Sequence, residues 1–373
     1  MHVKKLLFRL LEYYAVMHRR HHYCHRFQQN MRSLGIRNKA VPGESDYIRF
    51  WNQLTRHVEP YSFRLYSHFL TWDGKGNIIP EDIGHSYIEP MLNPPQYVGF
   101  YADKNLYTQY IKPTEAIAKT LLRRMLGGAL LDDHYQPALS FSVDGSAVAD
   151  YLKGADELVL KPSVNSKGGG GVMFFKRQNG IFTSGETVLD GPFLRQYGSN
   201  FVLQEVIDQH PYLAQFNPTS LNSIRVCTYR SILTERIHLA ACALRIGKKG
   251  ARVDNTHAGG GLVIVDPETG CLGHEVFNWE GMVEHVINGI DLQQHSFVIP
   301  HWISVCNFAI SIASQNHHCR LIAQDLTVDT DGNPRLIECN VKSFSFRIPM
   351  LAGKSLFGDE TQAVIDYCLR MRG

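Results

Sequence analysis

The chain has 373 residues, 44% of them hydrophobic and 20% charged, with a formal net charge of +3. That balance suits a folded chain with two or three cores and excludes general disorder, while the scattered glycines and prolines exclude collagen-like or low-complexity architecture. The charge is unevenly placed: residues 1–40 hold nine Lys/Arg against one acid, Glu12, so a +8 head precedes a −5 body.

Val3, Leu6, Leu7, Leu10, Leu11 and Tyr14 recur at helical spacing, and a basic, histidine-rich stretch (His18 to Arg26) continues from them. The pattern fits a helix docked on the body. The sharper alternative is a peripheral contact of residues 1–40 with an anionic membrane surface or another polyanion. Arg9 and Glu12 interrupt the apolar core that a signal peptide needs. No apolar run reaches the ~18 residues of a spanning helix. The eight cysteines show no CxxC and several sit in apolar runs, as buried thiols do in a reducing compartment. A cytoplasmic location is expected, peripheral to the inner face of the membrane if the head docks there.

From 41 to 100 the chain is aromatic and broken by prolines, which predicts a helix or two and then irregular structure. The stretch 102–126 has helical periodicity, with Asp103 as N-cap. Beyond 138 the pattern turns to short strands: 158–161 and 172–176 around a glycine-rich turn, then 201–207, 223–232, 237–247 and 260–266. An apolar-faced helix follows near 302–313. A last hairpin spans 320–340 across Asp329-Thr330-Asp331-Gly332-Asn333. The fold class is α+β with antiparallel sheets, not an alternating βαβ series.

Several stretches carry chemistry. Lys161 ends one strand and Gly168, Gly169, Gly170 and Gly171 open the way to the next. Such a flap can wrap phosphate oxygens with backbone N–H groups, and the lysine adds a point charge. The same stretch also fits a flexible hairpin turn. Glu338 and Asn340 lie two apart on one strand and share a face, which Asp325 reaches from the preceding strand. Two carboxylates and an amide oxygen are the hard donors Mg²⁺ takes alongside substrate phosphates. The apolar neighbours Leu336, Ile337, Cys339 and Val341 make a buried carboxylate that needs a cation. Gln204, Glu205, Val206 and Ile207 offer a strand end that could hydrogen-bond an adenine edge. Arg225, between Ile224 and Val226, projects from the polar face of a core strand, fit for a phosphate oxygen or for a structural ion pair. His257, in the glycine-bounded segment 255–261, is a candidate general base. Gly353-Lys354-Ser355 lacks the leading glycine of a P-loop, and His274-Glu275 does not complete a zinc motif.

In this order the pieces resemble the ATP-grasp superfamily over roughly 100–345. LNSIRVCT (221–228) and DNTHAGGG (254–261) look most like its sugar-transfer-associated members found with bacterial surface-polysaccharide genes. The resemblance implies two α+β lobes clasping ATP: residues 101–203 as the small lobe with its flap, 204–373 as the large lobe with the Mg²⁺ site. Residues 1–100 would be a mostly helical and irregular N-terminal region, in place of the compact α/β domain that usually opens such chains. It implies Lys104 and Lys161 on the phosphates, with Lys167 in the lid. It further implies adenine along 204–207, Asp208 on the ribose, and Arg225 on the transferring phosphoryl group. Asp325, Glu338 and Asn340 would hold two Mg²⁺ ions. The implied activity is an ADP-forming carboxylate–amine ligase working through an acyl phosphate, with a small-molecule carboxylate and an amine or sugar acceptor as substrates. A kinase on the same fold and a non-catalytic nucleotide-binding module are the alternatives. Nucleic acid is not an expected partner, since the basic head carries no matching motif.

Overall fold

A computed structural model describes residues 2–69, 78–164, 168–254, 259–278 and 283–372, excepting the side chains of 2–12 and 69. The helical spacing of the head is realised as one helix, α1 (His2–Ser33). Its C-terminal half is docked. Phe27 and Met31 are buried, Arg20 meets Asp82 at 2.7 Å and Arg26 meets Glu81 at 2.5 Å. Part of the head's positive charge is therefore neutralised within the fold rather than offered to a surface. Among the described residues no helix is long and apolar enough to cross a membrane.

The stretch 41–100 is more regular than its prolines suggest. It contains α2 (Glu44–Trp51), α3 (Tyr61–Phe69), a helical run over 81–92 and α4 (Pro95–Ala102). The reason is positional: Pro80 and Pro95 sit at helix starts, where a missing N–H costs nothing, and Pro90 directly follows the π-helical turn 84–88. The opposite correction applies after 102. Asp103 caps only the short turn Lys104–Leu106, and the helix Tyr107–Tyr110 stops ahead of Pro113. Residues expected as helix instead form strand β1 (Thr120–Arg124), held between two other strands.

Two seven-stranded antiparallel sheets follow. The first contains β1, β2 (Leu130–Leu131), β3 (Glu157–Pro162), β4 (Met173–Gln178), β5 (Ile181–Ser184), β6 (Thr187–Val188) and β7 (Phe201–Glu205). Its order is β2-β1-β7-β3-β4-β5-β6, over a core that includes Leu158, Leu160, Phe175 and Leu203. The second contains β8 (Ser223–Arg230), β9 (Ile237–Ile246), β10 (Gly261–Val265), β11 (Leu272–Phe277) and β12 (Val283–Glu284). After a small hairpin, β13 (Val286–Ile287) and β14 (Ile290–Asp291), it is completed by β15 (Leu321–Val328) and β16 (Pro334–Asn340). The order is β12-β11-β10-β9-β8-β15-β16.

Both faces of the second sheet are buried, which explains its near-continuous apolar strands. Ile224, Val226 and Leu244 face helix α5 (Trp302–Gln315). Cys227, Tyr229 and Ala323 face the N-terminal helices and α6 (Thr361–Arg372). Tyr101, Tyr107, Ile111 and Ile117, expected with the small lobe, join the core on the α5 side of this sheet. Asn93 pins the N-terminal region to the sheet, donating to the carbonyls of Leu321 and Val341 and accepting from the N–H groups of Arg320 and Leu321.

Candidate functional site

Antiparallel register assembles the centre. Asp325 on β15 lies directly opposite Glu338 on β16 and Arg225 on β8. Residues opposed in this way share a face. That face also carries Cys227, Tyr229 and Ala323, so period two turns Arg225 toward the N-terminal region and not toward an open polar surface. Arg225 donates to both oxygens of Asp325, at 2.6 and 2.5 Å, and to Ser345 Oγ at 3.0 Å. Arg245 reaches the same carboxylate at 3.2 Å, and Asn340 Nδ2 donates to it at 3.4 Å. Burial alone would raise the Asp325 pKa, but Arg225 and Arg245 outweigh it and hold the carboxyl below its ordinary range. Burial opposes the Arg225 charge as well, yet Asp325 more than compensates and its pKa is raised. The ion-pair reading of Arg225 is therefore realised.

The lysines come from two other directions. The turn after Asp103 carries Lys104, whose backbone N–H donates to the Ser163 carbonyl just beyond β3. Its side chain crosses to β16 and meets Glu338 Oε1 at 2.6 Å. Lys161 ends β3 beside it. Burial, and next the Lys104 charge, push the Lys161 ammonium down to about 8, against the pull of Glu338 and Asp325. Among the described residues Lys161 has no hydrogen-bond or ion-pair partner.

These groups surround a cavity of about 1070 Å³ between the two sheets. Its lining brings together Lys104, Lys161, Gly168, Gly169, Arg225, Asp325, Glu338 and Asn340. Gln204 and Glu205 end β7, Val206, Ile207 and Asp208 lead out of it, and all five line the cavity as well. Gln204 donates its amide N–H to the Ala118 carbonyl and to Thr120, while its buried Oε1 has no described partner. Gly170 and Gly171 stand outside the lining. Gly169 adopts φ 74°, and a Cβ there would meet Val253 at 3.3 Å, so glycine lets the flap close on the loop after β9. Lys167 and His257 lie outside the described residues.

Residues that the sequence reading did not single out complete the enclosure. Arg245 alternates with Leu244 and Ile246 as Arg225 does with its neighbours, and that period-two signal was available. Asp254 accepts from Ser223 and pairs with Arg245 at 3.4 Å. Tyr23, Arg26 and Phe27 of α1, with Tyr66, Glu81 and His85, wall the far half of the cavity. No local pattern marks them, because they reach the site only through the docking of α1.

Two lobes of antiparallel sheet gripping a lysine-lined cavity define an ATP-grasp protein. Within that superfamily the chain belongs to the sugar-transfer associated ATP-grasp family, whose model matches residues 85–365. No curated protein matches the chain. Similar solved structures include the ATP-grasp ligase PsnB complexed with a minimal precursor, 12% identical over 76% of this chain and 63% of that one, with a TM-score of 0.36. D-alanine–D-alanine ligase from Bacillus anthracis is 13% identical over 74% of this chain and 69% of its own, at 0.37. N5-carboxyaminoimidazole synthetase from Staphylococcus aureus, complexed with ADP, is 9% identical over 74% and 54%, at 0.42. The chain spans less than two thirds of the first and third of these.

Proposed function

We propose that the cavity binds ATP with Mg²⁺ and that the chain is an ADP-forming ligase. It would activate a small-molecule carboxylate as an acyl phosphate and join it to an amine or a sugar-borne nucleophile, in building a surface glycan or its precursor. Lys161 carries the nucleotide reading. A buried ammonium pressed against Lys104 and lacking a described partner needs an anion, and a polyphosphate satisfies both lysines at once. In this reading the two sheets, over 120–205 and 223–340, act as the clasping lobes, and residues 1–100 cover the acceptor side. The 168–169 turn closes over the phosphates together with Lys167. Adenine lies along 204–207, where the orphaned Gln204 oxygen is an acceptor for its amino group, and Asp208 takes the ribose.

The donors at 325, 338 and 340 are hard oxygens of the kind Mg²⁺ takes, with Asp325 kept ionised by its guanidinium neighbours; a bound ion would share Asp325 with Arg225 and Glu338 with Lys104. Bound there, the ions would neutralise charge spread over the transferring phosphoryl group. The chain's own part is alignment and charge. Lys104 and Lys161 fix the phosphates, and Arg225 turns toward the oxygens of the group in transit. The buried Asp325 carboxylate keeps Arg225 aimed. The family's association with sugar transfer supports a glycan-linked acceptor, and the aromatic wall of Tyr23, Tyr66 and Phe346 offers apolar surface for a sugar ring.

The test is calorimetric binding of Mg²⁺-AMPPNP, followed by turnover of Mg²⁺-ATP with candidate carboxylates and hydroxylamine as trap. ADP appearing together with a hydroxamate is the expected result. A gain of phosphate by the acceptor, read by mass, would overturn the ligase assignment in favour of a kinase. Nucleotide binding without ADP from any acceptor would leave a binding module.

A further inference from the structure

The far wall of the cavity contains one histidine set up for proton transfer. His85 is 8% exposed, within the π-helical turn Gly84–Ile88. Such turns break the regular helical ladder and recur at functional sites. His85 Nδ1 lies 2.8 Å from Glu89 Oε2, and the other oxygen of Glu89 accepts the Phe344 N–H at 2.8 Å. A carboxylate anchored on backbone makes Nδ1 the protonated nitrogen and leaves Nε2 with its lone pair. The ring is clamped between Tyr23, stacked at 5.2 Å, and Phe346, edge-on at 4.9 Å. A Cβ on Gly84 would meet the Phe346 ring at 2.8 Å, so glycine is what lets the clamp close.

Buried side-chain polar atoms are as a rule hydrogen-bonded. Here no described group takes Nε2, and His85 lines the cavity. The residue before its partner Phe346 is Ser345, which Arg225 holds. The imidazole and the guanidinium thus bear on consecutive residues of one segment, whose Cα atoms are ~3.8 Å apart. The groups facing the ring are Tyr23, Arg19 through the His85 carbonyl, Glu81 and Glu89, with Arg26 and Arg347 behind Glu81.

We propose that His85, oriented by Glu89, is the general base for the incoming nucleophile, a role that rests on the ligase reading above. The nucleophile's nitrogen bonds to the acyl carbon, and the carbon–oxygen bond to phosphate breaks. Phosphate departs with the electron pair, and the nitrogen's proton passes to Nε2 and then to water. Glu89 is a positioning residue. His85 is the catalytic one.

The test uses the full chain, Mg²⁺-ATP, the proteinogenic amino acids as carboxylates, and two amines. Hydroxylamine arrives largely unprotonated at neutral pH, whereas methylamine arrives as its ammonium and needs a base. His85→Asn should lower methylamide formation about a hundredfold while hydroxamate formation stays within about threefold. Glu89→Gln keeps the volume, so it remains informative if the first variant folds poorly. It should lower kcat for methylamide formation about tenfold and leave the KM for methylamine nearly unchanged, because the ring loses the charged acceptor that fixes its tautomer. Equal losses with both amines, or no loss, would overturn the proposal. Carbethoxylation by diethyl pyrocarbonate is run alongside: modification of His85 at Nε2 upholds an accessible base in the cavity, and an unmodified His85 refutes it. Should the wild type yield no hydroxamate with any acid, the ligase reading fails and the carbethoxylation result decides the fate of His85 by itself.

Discussion

With its ammonium held down to about 8, Lys161 is half neutral in mildly alkaline solution, and an arriving phosphate reverses that. The anion stabilises the charged form and raises the pKa, so nucleotide binding near pH 8 takes up protons. Calorimetric enthalpies should therefore vary with buffer ionisation enthalpy, and affinity should fall by up to about tenfold per pH unit above 8. A pH-independent affinity between 7 and 9 would contradict this. Lys161→Met removes a buried charge without a described partner and keeps the chain's apolar stem. The ligand-free protein should melt no lower than wild type while Mg²⁺-ATP affinity drops at least about tenfold. Glu338→Gln acts differently, since it keeps the volume but removes the negative charge that meets Lys104 at 2.6 Å and that the proposed metal site uses. Turnover should fall about a hundredfold or more with the circular dichroism spectrum unchanged. Retained activity would remove Glu338 from the site.

At the scale of elements, α1 behaves as part of the large lobe's core. Phe27 is 1% exposed against Tyr66, and Arg20 and Arg26 close on Asp82 and Glu81. Phe27→Ala should cost about 3–5 kcal/mol in urea unfolding, and deletion of residues 1–30 should expose that core to the dye ANS. A truncated chain that melts like the full one would show the helix to be dispensable. The last hairpin was legible because its chemistry is local: Asp325 and Glu338 become opposed as soon as β15 and β16 pair across their turn. The stretch 120–124 was misread because its spacing satisfies a helix as well as a strand. What decides is the pair of strands flanking it, β2 and β7, and β7 is contributed from some eighty residues away.

At the scale of the whole molecule, the two lobes touch through a clasp. Arg252, on the loop after β9, ion-pairs with Glu157 of β3 and stacks over the Phe174 ring of β4 at 4.3 Å. Val253 beside it meets the flap at Gly169. Closure over a nucleotide should depend on this contact. Arg252→Ala should raise the KM for ATP about two- to fivefold and leave kcat nearly unchanged, as expected for a half-exposed pair with a cation–π contact. An unaltered KM would mean that the lobes close without it.

Strand alternation, glycine placement and the Asp325–Glu338–Asn340 spacing are properties of short windows, so the chain alone determined the α+β class, most strands of the second sheet and the family. The wall contributed by the N-terminal region is of another kind. Tyr23, Glu81 and His85 share a cavity with Arg225 only because both faces of one sheet must be covered, and the N-terminal helices cover the face on which Arg225 and Asp325 emerge. That juxtaposition joins residues more than a hundred positions apart through burial of apolar surface, which is non-directional and leaves no spacing to read. Tertiary packing alone decided it.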